Sequence, residues 1–190
     1  MPHPVDLWTV SLVSSEPSVL SAEETARANR FKFEKDRLRW ACARSSLRRV
    51  LSGYAGIDPE RLGFTYGQHG KPALLAEAGI QFNLSHAGDW ALIAVSRAIA
   101  VGVDIERIRE KIDMGPLLKR LGESDAPGTP QELYQRWTRR EARSKAAGGA
   151  LFDSPAEAIR AVDVNSPDGY AASLALVGCE PLVRYRGGNL

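Results

Sequence analysis

The segment Ile99-Ala-Val-Gly-Val-Asp-Ile-Glu-Arg-Ile108 decides how the chain is read. Val101, Val103 and Ile105 alternate with Gly102, Asp104 and Glu106, the two-residue period of a strand with one buried face. This strand opens a second round of elements. In the first round, Val5–Val13 is rich in β-branched residues and reads as a strand. Ser21-Ala-Glu-Glu24 is a capping box that predicts a helix from about Ala22. A longer helix is expected from Glu34 to about Gly53. Its apolar residues Trp40, Ala43, Leu47, Val50, Leu51 and Tyr54 recur every three or four positions and leave the arginines on the other face. Asp58-Pro59 starts a turn, and Gly63–Tyr66, Ile80–Leu84 and Trp90–Ser96 read as short strands.

Beyond Ile108, Asp113–Pro130 reads as a surface loop around Gly115-Pro116. Thr129-Pro130-Gln131-Glu132 then combines a capping box with proline at the first helical position. The helix it starts is expected to reach Ala147 and stop at Gly148-Gly149. Ser154-Pro155-Ala156-Glu157 signals a further short turn. Ile159–Val164, Tyr170–Val177 and Leu182–Tyr185 read as closing strands. Two rounds of strands and helices imply an α+β fold of two similar lobes, 1–98 and 99–190, each a small, mainly antiparallel sheet on a long helix.

The 190 residues are 44% hydrophobic and 25% charged, an ordinary globular balance that excludes disorder and fibrous architecture. Trp90–Val95 is the longest apolar run, too short to span a membrane, and Met1–Val10 lacks a basic leader region. Cys42 and Cys179 cannot make a disulfide framework, so a reducing cytoplasm is expected. Net charge is only +2, but nine of the residues from Arg27 to Arg49 are Lys or Arg, which suggests contact with a polyanion or a solvated helix face.

Asp104 and Glu106, two apart on a strand, share one face with backbones ~6.5 Å apart. Two oxygen ligands on one side suit Mg²⁺ or Mn²⁺, and equally suit an exposed strand end. Trp137, Glu141 and Lys145 lie four apart and form one helical stripe. It reads either as a surface Glu–Lys pair beside a core tryptophan, or as a metal ligand beside a phosphate contact. Gly70-Lys71-Pro72 presents a cation on a turn but fails the phosphate-loop pattern, because Pro72 stands where Ser or Thr is needed. Ser85-His86 follows the apolar run Phe82-Asn83-Leu84.

In order, Gly70-Lys71-Pro72, Phe82–His86, Gly102–Glu106 and Trp137–Leu151 resemble the signature of the 4′-phosphopantetheinyl transferases, in particular the monomeric, two-lobed surfactin-synthetase type. The resemblance covers about residues 20–152. It implies a pseudo-twofold fold. It also implies transfer of the phosphopantetheine arm of coenzyme A to a serine of an apo acyl, peptidyl or aryl carrier protein, with release of 3′,5′-ADP. By the same resemblance Asp104, Glu106 and Glu141 match the Mg²⁺ ligands, with Mn²⁺ possible. Glu141 and Lys145 match the catalytic pair, Lys145 contacting the pyrophosphate. Gly70, Lys71, Pro72, Ser85 and His86 match residues lining coenzyme A. Lys35 and Arg39 fall where cations meet its 3′-phosphate. The basic helix would steer acidic carriers. A cytoplasmic monomer with no nucleic-acid or membrane partner is implied. Arg140 departs from the lysine usual before the glutamate, and 113–130 looks shortened. Two other classes compete: a Mg²⁺-dependent phosphodiesterase using the same carboxylates, and an RNA-binding module built on Arg27–Arg49.

Overall fold

The computed structural model describes residues 2–13, 17–67, 70–75, 79–125, 127–148 and 158–187. Nine strands and four α-helices are found among them, in the order β1(His3–Ser11), α1(Ala22–Ala28), α2(Glu34–Ala55), β2(Phe64–Tyr66), β3(Pro72–Leu74), β4(Ile80–Ala87), β5(Trp90–Arg97), β6(Val101–Arg107), α3(Gly115–Leu121), α4(Pro130–Ala146), β7(Ile159–Asp163), β8(Tyr170–Val177) and β9(Pro181–Arg186). The α+β class is as expected.

Side-chain alternation builds four layers. On β5, Ala91, Ile93 and Val95 point toward α2 and pack with Cys42, Ala43, Leu47 and Leu51. The intervening Leu92 and Ala94 point the other way and meet Val101, Val103 and Ile105 of β6 and Leu174 of β8. The first sheet, β4-β5-β1-β9, therefore lies between α2 and the second sheet, β6-β8-β7. On the far face of the second sheet, Ala142 and Ala146 of α4 pack on Ala175 and Ile159. Small residues let α4 lie close, and Gly102 closest of all: a methyl group there would run into the Ala142 carbonyl oxygen and the Ala146 amide nitrogen. Strand β9 pairs parallel to β1, Val5 opposite Val183, so the terminal strand crosses the expected division at residue 98 and joins the first sheet.

Four expectations change. Residues 115–121 form α3 rather than loop, because Pro116 sits in the first turn, where its missing N–H has no helical partner to lose. Gly122, at φ +73°, then closes that helix. Strand β3 was hidden behind Gly70-Lys71-Pro72 and pairs with β2 over three residues. Helix α2 runs through Gly53 to Ala55, and left-handed Gly56 ends it. Finally, its arginines do not all face water. Arg44 and Arg48 are buried, because Glu24 of α1 reaches in between them, 2.9 Å from Arg44 Nε and 2.6 Å from Arg48 Nε. Both guanidinium groups also lie over the Phe64 ring. The turn expected at Ser154–Glu157 and the stop at Gly149 lie outside the described residues.

Candidate active site

Three elements meet at Asp104. It projects from β6 toward α4 and is 3% exposed. Lys145, near the end of α4, places Nζ 2.6 Å from Asp104 Oδ1 and 2.9 Å from Ser85 Oγ. Ser85 Oγ donates to the same Oδ1 at 2.9 Å. Asn83, two residues back on β4, accepts the Val103 amide on its side-chain oxygen at 2.9 Å. Its side chain thus joins the two sheets at the point where the site forms. The sequence reading passed over Asn83; its polar character inside an apolar strand was the only signal.

The other two carboxylates stand near Asp104. Burial and then the Asp104 charge push the Glu106 carboxyl above its usual range, and the same two causes raise Glu141. The Trp137 indole hydrogen-bonds Glu106, so this ring lines the site rather than filling the core, with Arg120 over its face at 5.9 Å. Mutual repulsion among buried Asp104 and half-buried Glu106 and Glu141 favours a cation between them. Asp104 Oδ2 is buried without a hydrogen-bond partner, and an all-oxygen set suits a hard divalent ion. The residues therefore fit Mg²⁺ in chemistry. As they stand, no three His, Cys, Asp or Glu side chains among the described residues converge tightly enough to ligate one ion. Lys145 meanwhile supplies the positive charge at Asp104.

Two cavities flank the cluster. The larger, about 860 Å³, is lined by Arg39, His86, Glu106, Arg120, Tyr134 and Trp137. The smaller, about 240 Å³, is lined by Gly70, Lys71, Pro72, Asn83, Ser144 and Lys145. Of the predicted residues, Gly70, Lys71, Pro72 and Lys145 thus line the smaller cavity, and Arg39, His86 and Glu106 the larger. Lys71 lines its cavity but commits Nζ to two carbonyls, Lys145 O at 2.7 Å and Val101 O at 3.0 Å. Burial lowers its pKa to about 8. His86, exposed at the surface but with its ring partly desolvated, is also lowered, by that burial first and then by Lys145 and Arg39. Arg39 is held by Asp89 in the β4–β5 turn. Asp89 is another residue the sequence reading missed, since nothing in the turn marked it as a partner for a helix arginine. Lys35 is exposed near this turn, and its charge helps hold the Asp89 carboxyl below the usual range, after the Arg39 hydrogen bond and charge.

Comparison with known proteins adds independent findings. A family model described as 4′-phosphopantetheinyl transferase, N-terminal, matches residues 9–98. The chain is 38% identical over 165 residues to the 4′-phosphopantetheinyl transferase HetI of Nostoc sp., covering 77% of this chain and 70% of that protein. It is 34% identical to the 4′-phosphopantetheinyl transferase AcpT of Salmonella typhimurium, covering 76% and 77% respectively. The 4′-phosphopantetheinyl transferase psf-1 of Bacillus pumilus is 33% identical, over 70% of this chain and 59% of its own length.

Proposed function

The chain belongs to the 4′-phosphopantetheinyl transferase family, and from that premise we propose that it moves the phosphopantetheine arm of coenzyme A onto a serine of an apo carrier protein, releasing 3′,5′-ADP. The observation that carries this reading is the Ser85–Asp104–Lys145 cluster, with Glu106 and Glu141 beside it and an unpartnered Asp104 oxygen at its centre. Asp104, Glu106 and Glu141 would hold Mg²⁺ or Mn²⁺. Bound there, such an ion would supply charge neutralisation to a pyrophosphate and polarisation of the reacting phosphorus.

The chain's own residues do the rest. Lys145, already at the carboxylates, lines the smaller cavity and can turn its ammonium to a pyrophosphate oxygen. Gly70, Lys71 and Pro72 form the wall of the smaller cavity, and Lys71 adds positive charge there. Ser85 offers a hydroxyl beside Asp104, and His86, lining the larger cavity, a ring N–H, to phosphate oxygens. Arg39 and Lys35 supply cations at the rim for the 3′-phosphate. The carrier serine oxygen attacks the phosphorus bearing the pantetheine arm, and the bond from that phosphorus to the oxygen kept by ADP breaks. Glu141, at the carboxylate cluster, takes the serine proton as the general base. All these groups come from one chain, so a monomer suffices. No helix among the described residues is long and apolar enough to cross a membrane.

Intact-mass analysis of apo carrier proteins after incubation with enzyme, coenzyme A and Mg²⁺ tests this. One added phosphopantetheine per carrier is the expected result. Hydrolysis of coenzyme A with no mass gain would identify a phosphodiesterase instead.

A further inference from the structure

The ammonium of Lys71 holds the protein's own backbone. Its residue leaves a tight turn: the Gly67 amide donates to Lys71 O at 3.0 Å, the Gly70 amide donates to Gly67 O at 2.9 Å, and Gly70 is left-handed at φ +75°. From this fixed start the half-buried side chain ends on two carbonyls. One is Val101 O, at the start of β6, 3.0 Å away. The other is Lys145 O, in the last turn of α4, 2.7 Å away. Lys145 O also accepts the Gly148 amide at 3.2 Å, so it belongs to the turn that closes the helix. A helix carries partial negative charge at this end, and an ammonium is favourable there.

The two carbonyls flank a critical crossing. Gly102, the residue after Val101, is where α4 lies on β6 with no room for a methyl group. On the other side of Gly102, the Val103 amide donates to Asn83 Oδ1 at 2.9 Å. The β6 backbone is therefore held on both sides of Gly102, by Lys71 and by Asn83. Lys71 also grips α4, and does so through the residue whose side chain enters the site. Lys145 Nζ lies 2.6 Å from Asp104 Oδ1 and 2.9 Å from Ser85 Oγ. Lys145 is thus held at both ends. When its ammonium turns to a pyrophosphate oxygen, the carbonyl is the end that stays. A flexible four-carbon stem has a defined reach only from a fixed backbone.

We propose that Lys71 is a positioning residue: by joining the Lys145 and Val101 carbonyls it fixes the pivot from which Lys145 reaches the coenzyme A pyrophosphate, and it does not itself bind the 3′-phosphate. The proposal rests on the transferase reading above and changes one role within it. The resemblance sets Lys71 among residues lining coenzyme A, whereas the geometry gives its ammonium a backbone target.

The test is a double-mutant cycle of wild type, Lys71→Met, Lys145→Met and the double variant. Lys71→Met keeps the apolar stem and removes the donors. Single-turnover transfer at saturating substrate is followed by intact mass, with coenzyme A and with 3′-dephospho-coenzyme A. Calorimetry gives the Kd of both without carrier. Lys71→Met should slow transfer by ~10²-fold, the scale of a 1 Å misplacement, and by the same factor with both substrates. The ratio of the two Kd values should match wild type. In the Lys145→Met background the same substitution should cost less than about 3-fold, because the residue it acts through is gone. A rate loss that disappears with 3′-dephospho-coenzyme A, or a Kd ratio moved toward one, shows direct contact with the 3′-phosphate and overturns the proposal. A loss repeated in full in the Lys145→Met background also overturns it, since Lys71 would then act alone at the pyrophosphate or through the fold at large. Either result leaves the transferase reading intact. No transfer by wild type to any acyl or peptidyl carrier removes both readings together.

Discussion

Glu141 has two separable jobs, and one substitution divides them. Glu141→Gln keeps the size and one oxygen but removes the charge and the basicity. If the residue takes the serine proton, kcat should stay down by ~10²–10⁴ at saturating Mg²⁺, the usual contribution of a positioned base. Titrating Mg²⁺ in single-turnover assays measures this, and near-complete recovery at high metal would leave Glu141 a ligand alone. Lys71 carries a different signature. Burial lowers its pKa from 10.5 to about 8 in the folded protein. Between those values the unfolded chain binds more protons, so stability must rise with pH across that window. Below about pH 8 both states are protonated, and the full cost of burying the charge is present. Denaturant titrations at pH 7 and pH 9 should show a gain for wild type that Lys71→Met lacks. Glu24 has the opposite placement in its network: every charge around it is favourable. Glu24→Ala would leave Arg44 and Arg48 buried with no counter-charge, a loss of ~3–5 kcal/mol readable in a urea midpoint.

At the scale of the element, α4 depends on Gly102. The helix lies directly on β6, and Gly102→Ala would push it outward by the width of a methyl group. Overpacking of this kind costs ~1–3 kcal/mol, and it carries Glu141 and Lys145 away from Asp104. Activity should therefore fall further than the shift in unfolding midpoint explains. The rotation of α4 has its own support. Thr138 Oγ1 and Ser173 Oγ lie 2.8 Å apart where both residues are fully buried, and Arg139 donates to Asp163 at 2.7 Å. Elements of this kind were legible from local signals. The cap at Ser21 forms the full capping box, while at Thr129 the hydroxyl accepts from the Glu132 amide and the Glu132 carboxylate takes the Gly128 amide instead; the alternation in Val101–Glu106 places Asp104 and Glu106 together. What local signals could not carry was pairing across long separations. Nothing in the arginine-rich stretch marked Glu24 as the partner that buries Arg44 and Arg48. Asn83 and Asp89 likewise matter only through residues that the fold brings to them. Lys71 was legible as a cation on a turn, and its two carbonyl partners were not.

On the scale of the whole molecule, the two sheets share a core. Val5 and Leu7 of β1 and Leu92 of β5 are fully buried against Val101, Val103 and Leu174. With β9 added to the first sheet, the residues before and after 98 are expected to unfold as one unit. Tryptophan fluorescence and far-UV circular dichroism should give coincident urea transitions, and Leu7→Ala should move both together by ~2–5 kcal/mol. Two separated transitions would contradict this account.

The parallel pairing of β1 with β9 has a consequence for how the protein is made. Asp6 accepts from Arg186 at 2.9 Å across 180 residues of chain, and the same aspartate holds Tyr54. Strand β1 is thus completed by a strand synthesised well over a hundred residues later. During synthesis β1 can pair with β5, yet its other edge stays open, a template for any neighbouring strand until the C-terminal segment arrives. Contacts of such length close slowly. Nascent chains of this protein should accordingly depend on chaperone shielding late in translation, and chains stalled before Pro181 should aggregate through β1.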